Sequence, residues 1–489
     1  MIQSKKILFG ILLTLCCAAL HAQIPLESNI IIRGKNFSEN DSATKLFVKQ
    51  IHISGAKKTK LYIILREMQF KKGDTLLAGN LHDELLHARR QIYNTTLFNE
   101  VQLEATIEND RDISIEIIIK ERWYLYPVPL FQLVDRNFNV WAKTYKYNFD
   151  RVNYGLKFTH YNFSGRKDQL NINLLNGYSR NFSFSYTAPY SNSALSEGFT
   201  IGGGMTQNRE IAYKTSKNNT QLFYPVDSLS KAQSTFVRSS WYINAGYIMR
   251  KGLFVKHVFS ASYAHLKVSD SVVKKYNPSY FNSPDNSKGI LDLMYSFQYS
   301  NVDNVMYALN GTSAFVALIK RGLGFSGGIN MTALEAGVNK YYPLGKHWYS
   351  GFQLNGKIKI PFAQAYINRR GLGYGDSYLR GLEYYVIDGV ATALLRSSLK
   401  KKIISFSIPF NLFPKVITKI PVTIFAKTYA DLGYAYLPKS LQGDLNNRLL
   451  YTGGFGIDIL TLYDVNLRLE YSFNQYGQNG LFFHAQSGF

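Results

Sequence analysis

The feature that most constrains this chain is a period of two that runs from Trp123 to Phe489 with no helix-period segment of ordinary length. Val465, Leu467, Leu469, Tyr471 and Phe473 alternate with Asn466, Arg468, Glu470 and Ser472, which makes one apolar face and one charged face. Leu291, Leu293, Tyr295, Phe297 and Tyr299 do the same against Asp292, Ser296 and Gln298. So do Phe352, Leu354, Ile358 and Ile360 against Gln353, Asn355, Lys357 and Lys359. A soluble sandwich would turn these faces inward and use short strands. Several runs here reach about ten residues or more, and long strands with aromatic ends suit a membrane β-barrel.

Sixteen such segments are predicted, beginning near Leu125, Val152, Gln169, Asn181, Phe199, Thr235, Phe254, Leu291, Gly311, Met331, Tyr349, Val390, Val422, Leu449, Val465 and Leu481. The start at Val422 is the clearest, because Pro421 lacks an N–H and suits the first position of a strand. The mature chain has no apolar run of transmembrane-helix length, so the strands must do the crossing. An open edge in lipid leaves backbone groups unsatisfied, and the barrel is therefore expected to close. Leu481, Phe483, Ala485 and Phe489 share one face of the last segment, and a terminal aromatic there resembles the targeting signal of outer-membrane barrels.

Composition agrees with a barrel: 489 residues, 46% hydrophobic, 15% aromatic, 36 tyrosines and a net charge of +23. The Lys and Arg are spread along alternating strands and no nucleic-acid motif accompanies them, so outer-membrane lipid or lipopolysaccharide head groups are the expected anionic partner. Residues 1–22 read as a secretory signal, with Lys5 and Lys6 ahead of an apolar run from Ile7 to Leu20. Both cysteines, Cys16 and Cys17, fall inside that run, which leaves a mature chain without disulfides or cysteine metal sites.

After a polar segment, 23–44, residues 45–122 read as a small α+β module. FVKQIHISG alternates as a strand, a helical pattern runs from Thr59 through Met68 to about Gly73, and a second helix repeats Leu81, Leu85, Ala88 and Ile92. Two strands, LFNEVQLEATI and DISIEIIIKE, follow across Asn109 and Asp110. This order, with KKGD after the first helix and LFNEV opening the second strand, resembles a single periplasmic POTRA domain. Its three-stranded sheet is expected to have an exposed edge at Val101, Gln102 and Leu103, on which an unfolded client strand pairs.

Between two barrel strands lies a long loop, 369–389, RRGLGYGDSYLRGLEYYVIDG, with three arginines and five glycines. YLRGL within it resembles the (V/I)RG(F/Y) signature of the sixth loop in the superfamily of BamA, TamA and two-partner-secretion transporters. There the loop folds into the lumen and its arginine meets an acid in an F-x-D-x-G pattern, here Tyr429 to Gly433. The resemblance implies a lock made of Arg380, Gly381, Asp431 and Gly433. Leu379 and Leu382 depart from the family pattern, and LLRSSLKKKI lacks the glutamate often found on the intervening strand, so any extra brace must come from elsewhere.

Catalytic patterns are few. Gly324, Phe325, Ser326, Gly327 and Gly328 match G-x-S-x-G, but a strand pattern and no helix follows, so a turn is predicted. No histidines stand in metal-ligand spacing; neither metal nor cofactor is expected, and the chain is not read as an enzyme. Two function classes remain. One is an assembly or translocation factor that takes clients at the POTRA domain, with accessory proteins, and inserts or exports them through the barrel. The other is a passive pore or structural barrel in a larger complex. Pro127 and Pro129, two apart on the first strand, remove N–H groups from one edge, and the seam against the last strand, at Phe483 and Phe489, is expected to open laterally.

Overall fold

The computed structural model describes residues 29–34, 42–109, 111–133, 146–147, 149–217, 219–223, 235–324, 327–413, 417–438, 441, 443–462 and 465–486. The expected signal, both cysteines, Ser326 and Phe489 lie outside them.

The N-terminal domain is a five-stranded sheet, not the three-stranded one expected. Its strands are β1 (Ile30–Arg33), β2 (Lys45–Ser54), β3 (Thr75–Leu77), β4 (Phe98–Glu108) and β5 (Asp112–Glu121), in the spatial order β1-β4-β5-β2-β3. Helices α1 (Leu61–Leu65) and α2 (Leu81–Tyr93) bury Ile63, Ile64, Leu85, Ala88 and Ile92 against Val101, Leu103 and Ala105 of β4. The first helix is shorter than its pattern, because the chain leaves it at Arg66 and Glu67, whose side chains turn to the barrel. Part of the segment read as polar forms β1 and pairs parallel with β4, Ile30 opposite Leu103 and Arg33 opposite Thr106. The β4 edge is thus filled by the chain's own strand.

The rest is one sixteen-stranded antiparallel sheet, the number and order that the alternation predicts. It runs through β6 (Leu125–Leu133), β7 (Val152–Tyr161), β8 (Gln169–Gly177), β9 (Arg180–Ala188) and β10 (Glu197–Asn208). A separate hairpin, β11 (Ile211–Ser216) and β12 (Asn219–Phe223), interrupts the meander. It resumes with β13 (Arg238–Met249), β14 (Val255–Val268), β15 (Ser287–Val302), β16 (Gly311–Arg321), β17 (Met331–Gly345) and β18 (Trp348–Ile360). The two short strands β19 (Arg370–Leu372) and β20 (Ile387–Asp388) lie in the long loop. β21 (Ala391–Phe413), β22 (Ile417–Tyr436), β23 (Leu450–Leu460), β24 (Asn466–Asn474) and β25 (Asn479–Gln486) complete the sheet. Among the described residues no helix is long and apolar enough to cross a membrane.

Several strand starts shift by a few residues, as at Arg238 and Ser287, and the largest shift is at the start read as clearest. β22 begins at Ile417, and Pro421 lies within it, opposite Ser407 of β21. The proline is tolerated because β22 pairs with β23 only from Thr423 onward, so its other edge is unpaired at that level.

Turns between strands at one end of the barrel meet the small domain. Asn162 donates to Thr59 Oγ1 at 2.9 Å. Arg250, after β13, holds Glu67 with two bonds of 2.7 and 2.8 Å, while Tyr190, after β9, donates to the same carboxylate at 3.0 Å. Arg66 donates to the carbonyls of Leu195 and Arg250 at 2.6 and 2.7 Å. The long loop lies at the opposite end.

Candidate functional site

The loop between β18 and β21 is tied at its base and packed at its middle. Lys359 Nζ, on β18, donates to the carbonyls of Asn368, Arg370 and Gly389 at 2.8, 2.5 and 3.0 Å, joining both ends of the loop to one strand. Leu372, Leu379, Leu382 and Ile387 bury against Leu394, Ala435, Leu445 and Leu450. The two leucines that depart from the family pattern therefore pack the loop.

This positions Arg380 inside the barrel. Its Nε and Nη2 donate to the two oxygens of Asp431 at 2.9 and 2.5 Å, and its backbone N–H donates to the same carboxylate at 3.0 Å. Nη1 reaches Ser398 Oγ and Nη2 the Ser397 carbonyl, both at 3.1 Å, and the guanidinium lies 4.0 Å from the centre of the Tyr429 ring. Asp431 is 0% exposed, so removing its bidentate partner would leave a buried carboxylate without its cation. Gly381 has φ +94°, and a Cβ there would sit 2.9 Å from that of Ser472; at Gly433 a Cβ would meet Leu379 at 2.6 Å. Both glycines are required by the close approach of loop and strand.

The extra brace comes from strands beyond β22. Glu470 on β24, 0% exposed, lies 2.7 Å from Lys427 Nζ, 3.9 Å from Arg380 Nη1 and 3.6 Å from His484 Nε2. Its oxygens lack hydrogen-bond geometry to any of them and act as a charge among cations. Lys427 is bonded to Asp458, Asn474 donates to the Gly381 carbonyl at 3.0 Å, and His484 of β25 lies 3.1 Å from Glu383 of the loop. Arg396, directly opposite Asp431 in the register, donates to the carbonyls of Asp376 and Tyr378. Alternation placed Lys359 on a polar face in the sequence; Arg396 was not singled out there, though the parity of its strand could have found it, and Tyr307 gave no such signal.

Tyr307 belongs to the turn after β15. Its hydroxyl donates to Asp458 at 2.7 Å, and Lys400 Nζ lies 3.9 Å from its ring centre. Asn94, which caps the C-terminus of α2, donates to the Val302 carbonyl at 2.8 Å and accepts from the Val305 N–H at 3.0 Å, holding the turn in place. A cavity of about 320 Å³ lies beside it, lined by Tyr307, Arg380, Arg396, Lys400, Lys427 and Asp458 among others. The lumenal acids are thus engaged by cations, an arrangement that fixes a loop rather than one that transfers protons.

The edge expected at Val101, Gln102 and Leu103 needs correction. The Leu103 N–H donates to the Asn29 carbonyl at 3.0 Å, and Val101 O accepts from Arg89 Nε at 3.0 Å. Backbone groups alternate in direction along a strand, so odd residues face this edge and the Gln102 N–H faces β5. Gln102 is thus a ladder residue, and its side chain bonds Glu104 at 2.8 Å.

At the other sequence-derived site, β6 and β25 are the two ends of the large sheet, and among the described residues no backbone pairing joins them. The Tyr161 N–H donates to Tyr124 O, so Tyr126, Val128 and Leu130 turn their bonding groups to β7 while Pro127 and Pro129 face away from it. The Asn474 N–H donates to Gln478 O, which by the same alternation turns the backbone groups of Leu481, Phe483 and Ala485 away from β24. The Phe483 side chain is 65% exposed on the outer face.

A family described as Surface antigen variable number repeat, POTRA, matches residues 46–122. No curated protein matches the chain. Among solved structures, CdiB from Escherichia coli is 10% identical with a TM-score of 0.53, the match covering 90% of this chain and 76% of that one. BamA from Haemophilus ducreyi lacking POTRA domains 1-3 is 16% identical with a TM-score of 0.48, covering 90% and 84%. CdiB from Acinetobacter baumannii is 10% identical with a TM-score of 0.47, covering 90% and 73%. The chain therefore joins a domain that matches the POTRA family to a sixteen-stranded antiparallel sheet with the fold of CdiB.

Proposed function

We propose that this protein is an outer-membrane assembly or translocation factor whose POTRA domain lies in the periplasm and whose barrel inserts or exports unfolded client proteins. The observation that carries the reading is that β6 and β25, the two end strands of the sheet, each turn backbone groups to an edge that has no ladder among the described residues. A client strand is the natural occupant of such an edge, since each added strand satisfies groups that lipid cannot. Pro127 and Pro129 remove two donors from the β6 side and keep that edge from sealing. The Arg380–Asp431 lock supports the same reading, because it holds the wall that carries β25 as a fixed template.

The test uses the absence of cysteine from the chain after residue 17. One cysteine at Phe131 and one at Phe483, both on the outer face, are oxidised in cells. Client insertion or export should stop on oxidation and resume on reduction. Full client transfer across a locked seam would instead leave the passive barrel as the function.

A further inference from the structure

β21 and β22 outrun their neighbours at the POTRA end. β18 pairs with β21 only as far as Lys401, opposite Trp348, and β23 pairs with β22 only as far as Thr423. Beyond those points the two strands continue as a hairpin, which at about 3.3 Å per residue carries β21 roughly 40 Å past β18.

A bulge between Lys402 and Ile404 resets the phase of this extension. Across the ladder Ile404 faces Ile424, Phe406 faces Val422 and Ile408 faces Ile420, so one face is wholly apolar. The opposite face carries Ser405, Ser407, Pro409, Lys419, Pro421 and Thr423. The apolar face is the continuation of the lipid-facing side of β22, since Ile424, Ala426 and Leu432 share it while Phe425, Lys427 and Asp431 are buried inside. Trp348, with Lys401 Nζ 5.2 Å from its ring centre, marks where an aromatic belt and its flanking cations belong. The apolar face runs on past that mark, and Ile408 there is 42% exposed.

We infer that this hairpin is a membrane-binding extension of the barrel wall that sets Ile404, Phe406, Ile408, Ile420 and Val422 against the periplasmic leaflet and its lysines against lipid phosphates. It rests on the outer-membrane reading above. Charge complementarity selects lipid: no acidic residue occurs from Val390 to Ala430, while Lys401 stands at the base of the hairpin and Lys419 on its arm. Strand partners are disfavoured. The ladder runs through both Pro409 and Pro421, so their ring nitrogens turn to the two outer edges, where they blunt pairing. A barrel whose lipid-facing surface is taller on one wall must draw the bilayer toward it or tilt, and either deforms the membrane around the barrel.

The full chain, carrying a single cysteine labelled with a nitroxide, is reconstituted into vesicles of phosphatidylethanolamine and phosphatidylglycerol. Labels go in turn at Ile404, Phe406 and Ile408, at Ser405 and Ser407, and at Phe455 on the outer face of β23 as a control. Collision with oxygen and with a water-soluble nickel chelate then reports the surroundings of each. Labels at 404, 406 and 408 should match Phe455 in favouring oxygen, with 405 and 407 favouring the chelate. If Phe455 is lipid-exposed but 406 and 408 favour the chelate, the hairpin stands in water and the inference fails alone. Shielding of 406 and 408 from both reagents would mean an apolar protein partner, and also overturns it. A Phe455 label without lipid contact would defeat the membrane reading itself.

Discussion

The two walls that meet at the seam are built from different chemistry. On the β8–β10 side the inward face is neutral: Asn171 bonds Ser185 at 3.2 Å, Asn173 bonds Asn181 at 3.1 Å and Thr187 bonds Thr200 at 3.0 Å. On the β21–β25 side it is ionic, with Arg380, Lys427, Asp431, Asp458 and Glu470 in one connected cluster. Neutral amide and hydroxyl pairs can exchange partners at little cost, whereas breaking a buried ion pair strands a charge. The ionic wall is therefore the fixed one. The neutral wall has its anchor outside the lumen, where Arg66 and Glu67 of the POTRA domain hold the turns after β9 and β13. The same domain also touches the ionic wall, through Asn94 and the turn whose Tyr307 bonds Asp458.

The largest effect should come from breaking the fixed wall. Arg380→Ala leaves Asp431 buried without its partner and should cost about 3–5 kcal/mol, read as a shift in urea unfolding of the reconstituted barrel and as new protease sites in residues 369–389. A double-mutant cycle with Asp431→Ala should show strong coupling. Additive effects would mean that the loop is held by its leucines alone and that the two walls do not differ as argued.

Next in size is the outside anchor. Burial pushes the Glu67 carboxyl up, but the bonds and charges of Arg250, together with Lys167 and Arg66, outweigh it and hold the group below its ordinary value of 4.5. A carboxyl depressed in the docked state contributes stability that is complete above that ordinary value and is lost as pH falls through the depressed one. Docking of the POTRA domain should then be constant above about pH 5 and loosen below it. Glu67→Gln keeps one acceptor but not the charge, should cost roughly 1–3 kcal/mol, and should flatten this pH dependence. Hydrogen exchange in α1 and in residues 189–196 reads both effects; an unaltered acid profile in the variant would remove Glu67 as the anchor.

What the sequence made legible divides along the same line. Alternation specified the number of strands because each barrel strand must show one face to lipid, a constraint written residue by residue in segments such as Val465–Phe473. The partners Arg380 and Asp431 were legible from a motif and from parity, since Lys427, Tyr429 and Asp431 share a face. Three features were not. β1 is four residues of IIIR in a stretch too short to carry a period, and its strand state depends on the β4 edge being available. That the Gln102 N–H meets β5 depends on which edge of β4 that strand takes, a pairing that side-chain pattern does not record. The extension of β21 past Lys401 depends on where its neighbours stop, a property of the whole sheet rather than of its own residues.

A smaller effect is expected inside the neutral wall. Asn173→Ala removes one neutral bond from a half-buried pair and should cost roughly 0.5–1.5 kcal/mol in the same unfolding assay. A loss as large as that of Arg380→Ala would erase the contrast between the walls.

The smallest change in stability, and the finest test of how the POTRA domain meets its surroundings, lies at β1. Arg33 pairs with Glu104 at 2.9 Å, but the Arg33 side chain is 63% exposed, and an exposed pair contributes at most about 1 kcal/mol. In parallel pairing with Ile30 opposite Leu103, the Ile31 N–H turns to Leu103 O and the Ile31 carbonyl to the Ala105 N–H. Ile31→Pro removes the donor and should release β1 while changing global stability by under about 1 kcal/mol. Hydrogen exchange should then accelerate at the amides of Leu103 and Ala105, which face the vacated edge, and stay slow at Gln102 and Glu104, which face β5. A synthetic strand peptide added in excess should restore protection at Leu103 and Ala105. If those two amides remain slow in the variant without peptide, β1 does not hold the edge, and the β4 surface is closed to clients by something other than the chain's own N-terminal strand.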